Sequence, residues 1–225
     1  MAKNISLLTL KNKIRDRGEF YNTAWLTDSE LVSHINDSIA ALYDFLITID
    51  SGRYLTTSSE ISIVAGTRTY DLPSDFYIVV GVDLVDDSHQ SGYRTMSRFN
   101  WGERHDNAIR MSEHFARYDI LGNKLWIHPK PDWAGSVVLR YIPVPVELSA
   151  DEDTFDSVNS WTDWVVLDCL IKIGHKEGLD TKGWQREQGK TEMRIASIGE
   201  TNRSEPKTVN DSIGVKKIIN RRVLM

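Results

Sequence analysis

The sequence predicts an α+β fold: an antiparallel helical bundle, made of a long N-terminal helix and a C-terminal helical pair, with an inserted antiparallel β-meander and an extended C-terminal arm. Three observations lead there. Apolar residues recur at helical spacing through Leu31, Ile35, Ile39, Leu42, Leu46 and Ile49. From Ile61 the apolar period changes to two, the period of a strand. Helical spacing then returns at Trp161. The expected division is a helical core from residues 1–60 and 155–200, a β-rich region over 61–154 with a long loop at 86–116, and an arm over 201–225. About 40% apolar content in 225 residues is enough to build a core.

A first short helix is expected over 6–17, with Ser6 as its cap, Leu7, Leu10 and Ile14 on one face, and Gly18 ending it. After a loop to Trp25, Thr27 and Glu30 form a capping box, and Leu26 and Leu31 occupy the staple positions around it. The long helix that follows should run to about Asp50 and stop before Gly52, on the order of 35 Å. Tyr43 and Phe45 widen its stripe, which implies more than one packing partner.

In the β region, Ile61 and Ile63 alternate with Ser62, and Phe76, Ile78, Val80, Val82 and Leu84 alternate with a mixed face. Tyr70-Asp71-Leu72-Pro73-Ser74-Asp75 reads as a turn-rich link, with Pro73 leading into the next strand. Residues 86–116 are polar and read as a surface loop with room for a short helix. Gly122-Asn123, between Tyr118–Leu121 and Lys124–Ile127, is a two-residue hairpin signal. Residues 129–135 make the next turn. Val137–Ile142 is then the third strand of a meander, ended by Pro143 and Pro145.

Ser160 and Asp163 resemble a second capping box. Trp161, Trp164, Val165, Leu167, Leu170, Ile171 and Ile173 cover most of the following helix, so it should be central, and Gly178 should stop it. A last helix from about Thr181 to Ile198 carries Trp184, Met193, Ile195 and Ile198.

Residues 201–225 are unlike the rest. Six basic residues against two acidic ones give them a charge of +4, which leaves −9 for the first 200. They also carry spaced apolar residues: Val209, Ile213, Val215, Ile218, Ile219, Val223 and Leu224. Pro206, Asn210 and Gly214 break the segment into pieces too short to fold alone. Such a segment suits docking along another protein's surface, with ordering entropy lost on binding; the alternative is a frayed terminus.

The net charge of −5 argues against general nucleic-acid binding, although DNA could pass an acidic surface without sticking. A single cysteine, Cys169, excludes an internal disulfide and reads as a buried inert thiol in an apolar helix. No apolar stretch approaches a membrane span, and the Met-Ala-Lys-Asn start lacks a secretory core, so synthesis in a reducing cytosol is expected.

Positive signals for catalysis are missing. Gly183–Thr191 resembles a phosphate loop, but five residues separate its glycines instead of four, and no buried strand precedes it. His105, His114 and His128 lack metal spacing. Asp151, Glu152, Asp153 and Asp156 lack the glycine and distal glutamate of a calcium loop, and acidity ahead of a helix start explains them better. No metal, cofactor or catalytic residue is therefore expected. Trp101, Trp126, Trp133 and Tyr141 could form an aromatic platform, but alternate aromatics in a meander more often face the core.

The succession of a capped long helix, then Tyr70-Asp71-Leu72-Pro73-Ser74-Asp75-Phe76 before a strand, then Leu125-Trp126-Ile127-His128-Pro129 with Val138-Leu139-Arg140-Tyr141, then Trp161–Ile173 opening a helical pair, resembles the head-to-tail adaptor (head-completion, connector) proteins of tailed bacteriophages, especially short-tailed ones. The resemblance covers about residues 25–200. It implies a structural virion protein at the head–tail junction, made in the host cytoplasm and not an enzyme. A homo-oligomeric ring, of twelve copies, would sit between the portal and the tail or nozzle proteins and extend the channel for double-stranded DNA without binding it specifically. It also implies an arm running along the portal. The residues that fit that arm are Val209, Ile213, Val215, Lys216, Lys217, Ile218, Ile219, Arg221, Arg222, Val223 and Leu224. Two other readings stay open: a tail-tube gatekeeper, or a carbohydrate-binding module using Trp126 and Trp133.

Overall fold

The computed structural model of the chain describes residues 4–22, 25–49, 54–100, 116–156, 158 and 160–201. Four helices and ten strands lie among them, and the class is α+β. Helices α1 (Leu7–Gly18), α2 (Asp28–Thr48), α3 (Trp161–Lys176) and α4 (Lys182–Thr201) gather around one apolar core.

Local chemistry sets the helix ends. Ser6 is extended, and its Oγ accepts from Thr9 N at 3.3 Å. Helix α1 runs through Gly18, and the left-handed residue after it is Glu19 (φ 57°), so Gly18 is not the expected terminator. Gly18 serves close packing instead: a Cβ there would lie 2.4 Å from the Phe20 ring and 2.8 Å from Leu170. Thr27 caps α2 by accepting from Glu30 N at 3.3 Å, with Leu26 and Leu31 buried around it. The box is one-sided, because the Glu30 carboxylate ion-pairs with Lys176 of α3, a stronger partner than an amide. The second expected box is absent. Ser160 sits at φ −98°, ψ 17°, where its side chain makes no capping bond, and only its carbonyl serves the helix, accepting from Trp164 N at 3.0 Å.

The central helix is α3, with Trp161, Trp164, Val165, Val166, Cys169, Leu170 and Ile173 buried in the shared core. Gly178 (φ 68°) turns the chain after it, and Leu179 N donates back to Gly174 O at 2.8 Å. Of the apolar residues expected inside α4, Ile195 is buried and Trp184 packs on the core, but Met193 is 68% exposed.

A strand pair that sequence reasoning missed ties the chain's start to its middle. Strand β1 (Asn4–Ser6) pairs antiparallel with β10 (Thr154–Asp156). Beyond the pair, Leu7 N and Leu8 N, free donors at the start of α1, donate to Asp153 O (2.9 Å) and Asp151 O (3.1 Å). The acidic segment therefore lies at the start of α1, not of α3.

The remaining strands are β2 (Thr57–Ile63), β3 (Thr69–Asp71), β4 (Phe76–Val85), β5 (Tyr93–Thr95), β6 (Ser97–Arg98), β7 (Arg117–Leu121), β8 (Lys124–His128) and β9 (Gly135–Pro143). They form two four-stranded sheets, ordered β2-β9-β4-β5 and β3-β8-β7-β6. Ile63, Val82, Leu84, Val137, Leu139 and Tyr141 from the first share one core with Tyr118, Leu125 and Ile127 from the second. The expected meander is thus corrected. The β7–β8 hairpin forms as expected, turning on Gly122 (φ 57°). β9, however, crosses to the other sheet, because a nine-residue strand finds long partners on both sides only between β2 and β4. Tyr70-Asp71, expected in a turn, belongs to β3 and pairs with β8. The expected loop 86–116 contains β5 and β6, the latter parallel to β7; residues 101–115, Trp101 among them, lie outside the described residues.

Alternation along β4 fails in its first half. Register shifts interrupt its pairing with β9 between Phe76 and Ile78 and between Val79 and Gly81. These bulges turn Val79 toward the core and leave Ile78 and Val80 exposed at 36% and 48%.

Candidate interaction surface

Among the described residues, α2 is tied both to the segment after β9 and to β4. The Asn36 amide of α2 grips the backbone of Leu148, with Nδ2 donating to its carbonyl at 3.0 Å and its N–H donating to Oδ1 at 2.9 Å. The Tyr77 hydroxyl of β4 donates to Asp44 Oδ1 near the end of α2 at 2.6 Å, a bond that raises the phenol's pKa. Tyr77, Ile78 and Val80 on β4 are exposed apolar side chains, as are Val144 and Val146 after β9. Val144 N donates to Asp75 O at 2.7 Å, which sets the two stretches side by side. Sequence reasoning missed this surface, because strict alternation places Ile78 and Val80 in the core; Gly81, where pairing resumes beyond the bulge, is the one sequence hint.

The same region is short of positive charge. The last turn of α2 has no basic residue, although its free carbonyls favour one. Asp44 and Asp75 accept from Tyr77 and Tyr141 and make no ion pair among the described residues. Several other acids are ion-paired: Lys11 reaches Asp151 at 2.5 Å and Asp28 at 3.5 Å, and Asp83 holds Arg140 at 2.6 Å and Thr95 at 2.9 Å.

The middle of α4 is linked to the end of α2 through aromatic side chains. Glu192 accepts from Trp164 Nε1 at 3.2 Å, Trp164 stacks on Phe45 (centroids 6.2 Å, planes 6° apart), and Phe45 adjoins Asp44. α4 thus runs antiparallel to α3, from Thr181 beside His175 to Glu192 beside Trp164, and heads for the end of the helical core where α2 meets β4. The arm residues themselves, Val209, Ile213, Val215, Lys216, Lys217, Ile218, Ile219, Arg221, Arg222, Val223 and Leu224, lie outside the described residues.

Other candidates resolve into structure. Gly183–Thr191 lies entirely within α4. The depression beside it, lined by Arg17, Asp163, Leu167, Glu187, Lys190 and Thr191, is spanned by an Arg17–Glu187 ion pair. Asp153 accepts from Ser149 N and Ala150 N, both at 2.7 Å, and these bonds hold its carboxyl below the usual range. Asp153 closes a loop, and among the described residues no cluster of His, Cys, Asp and Glu could hold a metal. Cys169 is buried, and burial pushes its thiol up to about 12. Burial likewise lowers the pKa of His128. Among the described residues the aromatic platform does not assemble: Tyr141 is buried between the sheets, Trp133 packs on that core, and Trp126 projects from the opposite face of β8 to Leu125 and Ile127. No described helix is long and apolar enough to cross a membrane.

The family model described as SU10 adaptor protein matches residues 5–201 of the chain. No curated protein matches it. The match ends where α4 ends, so it takes in both cores and leaves out the basic segment.

Proposed function

Because this chain belongs to the SU10 adaptor protein family, and is thus a phage head–tail adaptor and a structural part of the virion, we propose that it forms a homo-oligomeric ring between portal and tail, anchored to the portal by residues 201–225. The observation that carries the anchoring is the charge division: +4 on residues 201–225 against −9 on the rest. Lys216, Lys217, Arg221 and Arg222 pair with portal carboxylates, while Ile218, Ile219, Val223 and Leu224 fill apolar grooves. One such arm binds weakly. In a ring, each engaged arm holds its neighbours at high effective concentration, so affinity multiplies with copy number. Twelve copies would match a twelvefold portal. The acidic body lets DNA pass through the ring without being held, and the face away from the portal receives tail or nozzle proteins.

Co-sedimentation with portal rings tests this reading. The full chain should pellet with the portal, and a chain ending at Thr201 should stay in solution with its helical circular dichroism intact. Equal pelleting of both chains would remove the anchoring role from the arm.

A further inference from the structure

Strand β4 has an unpaired edge. On one side it pairs with β9 along nearly its whole length. On the other, β5 pairs only with Asp83–Val85, and Met96 N donates to Val82 O at 2.8 Å. From Tyr77 to Gly81, roughly 17 Å of strand, no described residue pairs with that edge. Natural edges are usually blunted by lysine or proline, or covered. This one has neither residue, and Tyr77, Ile78 and Val80 are 42%, 36% and 48% exposed. An apolar, open strand edge recognises an extended peptide by strand addition.

The surroundings specify the peptide's charge. Asp44 and the α2 C-terminus approach this stretch of β4 through the Tyr77–Asp44 bond, without a cation from the described residues. The occupant should therefore be extended, apolar at alternate turns and basic. Residues 215–224 have that composition. In an extended conformation one face carries Val215, Ile219 and Val223, with Lys217 and Arg221 between them. The direction suits this, since α4 runs from His175–Thr181 at one end of α3 to Glu192 beside Trp164 at the other, the end where Phe45 and Asp44 of α2 approach Tyr77. The thirteen residues 202–214 could reach at most about 45 Å, and attachment to the same chain favours capture within one chain over capture from a second copy.

We propose that the open edge of β4, Tyr77–Gly81, is a strand-addition site that receives residues 215–224 of the same chain. This inference rests on the reading of residues 201–225 as a docking segment and adds a second seat for it. Ile218, Ile219 and their neighbours cannot lie on β4 and on the portal together. The arm is thus held on the body before assembly, which covers an edge that would otherwise pair between chains, and the portal displaces it.

Disulfide trapping in the full chain, without portal, tests the seat. The chain's own Cys169 is buried and does not compete. Val80→Cys with Ile219→Cys should close an intramolecular disulfide under mild oxidant, read as a faster monomer band on a non-reducing gel. The control is Leu179→Cys with Ile219→Cys. Leu179 is 45% exposed but follows the far end of α3; this pair should close at least tenfold more slowly. Amide exchange on the otherwise unaltered chain is the second reading, with Tyr77–Gly81 exchanging about tenfold faster in an Ile218→Asp, Ile219→Asp variant than in the natural sequence. Equal closure of the two pairs, mainly intermolecular disulfides, or unchanged exchange would each overturn the proposal. Trapping that fails while the full chain still pellets with portal removes this seat alone; trapping that succeeds while portal binding fails removes the anchoring role instead.

Discussion

Two glycines in the C-terminal helical pair should respond to alanine in opposite directions. Gly174 lies where α3 meets α4: an added Cβ would sit 2.6 Å from Thr181 Cγ2 and 2.9 Å from the Trp184 ring. Thr181 is 5% exposed, and its hydroxyl shares a 3.0 Å hydrogen bond with His175 Nε2, so it has little freedom to withdraw. Alanine gains about 1 kcal/mol of helix propensity. Overpacking costs about 1–3 kcal/mol, and losing the threonine bond adds about 1 kcal/mol. Gly174→Ala should therefore destabilise by about 1–3 kcal/mol. Gly189, within α4, has nothing within 4 Å of the same added atom, so Gly189→Ala should keep the propensity gain and stabilise by about 1 kcal/mol. Urea unfolding reads both. With a slope of about 2 kcal/mol per molar, the two midpoints should differ by on the order of 1–2 M. A Gly174→Ala midpoint equal to or above that of Gly189→Ala would refute the close approach of the two helices.

Three further outcomes follow from side chains that hold the loops and the core. Asn36→Ala strips both polar groups of buried Leu148 of their partner and should cost about 2–3 kcal/mol, seen as a lower urea midpoint and faster exchange of the Leu148 amide. Asp153, lowered by its bonds to Ser149 N and Ala150 N, contributes stability that is complete above the ordinary carboxylate range and is lost as pH falls through its folded value; a urea midpoint that falls on acidification should fall less in Asp153→Asn, and identical pH profiles would contradict the role. Cys169, with its thiol pushed up to about 12, should resist a thiol reagent at pH 8 in the native chain and react at once in denaturant.

Signals confined to a few residues were legible in the sequence. The staple of Leu26 and Leu31, the stripe from Leu31 to Leu46, the central α3 and the Gly122-Asn123 hairpin are set by spacing and turn chemistry, and the chain forms each of them. Signals that depend on distant partners were not. Nothing local to Glu30 announces Lys176, more than a hundred residues on, as a better partner than the Thr27 amide. β9 alternates equally well beside β8 or between β2 and β4, so its sheet is decided by which neighbours are long enough. β1, β5 and β6 are two or three residues long, too short for any period. The bulges of β4 reversed its exposed face, and with it the apolar surface beside Asp44. The charge of residues 201–225 could be read directly, whereas the shortage of cations around Asp44 and Asp75 appears only once α2 and β4 stand together.

Mass photometry of portal rings mixed with the full chain tests the adaptor ring most directly. The account predicts one step in mass, from portal alone to portal plus twelve times the 25.7 kDa of this chain, with few partly filled rings and no step for a chain ending at Thr201. A portal mass left unchanged by excess full chain would contradict it.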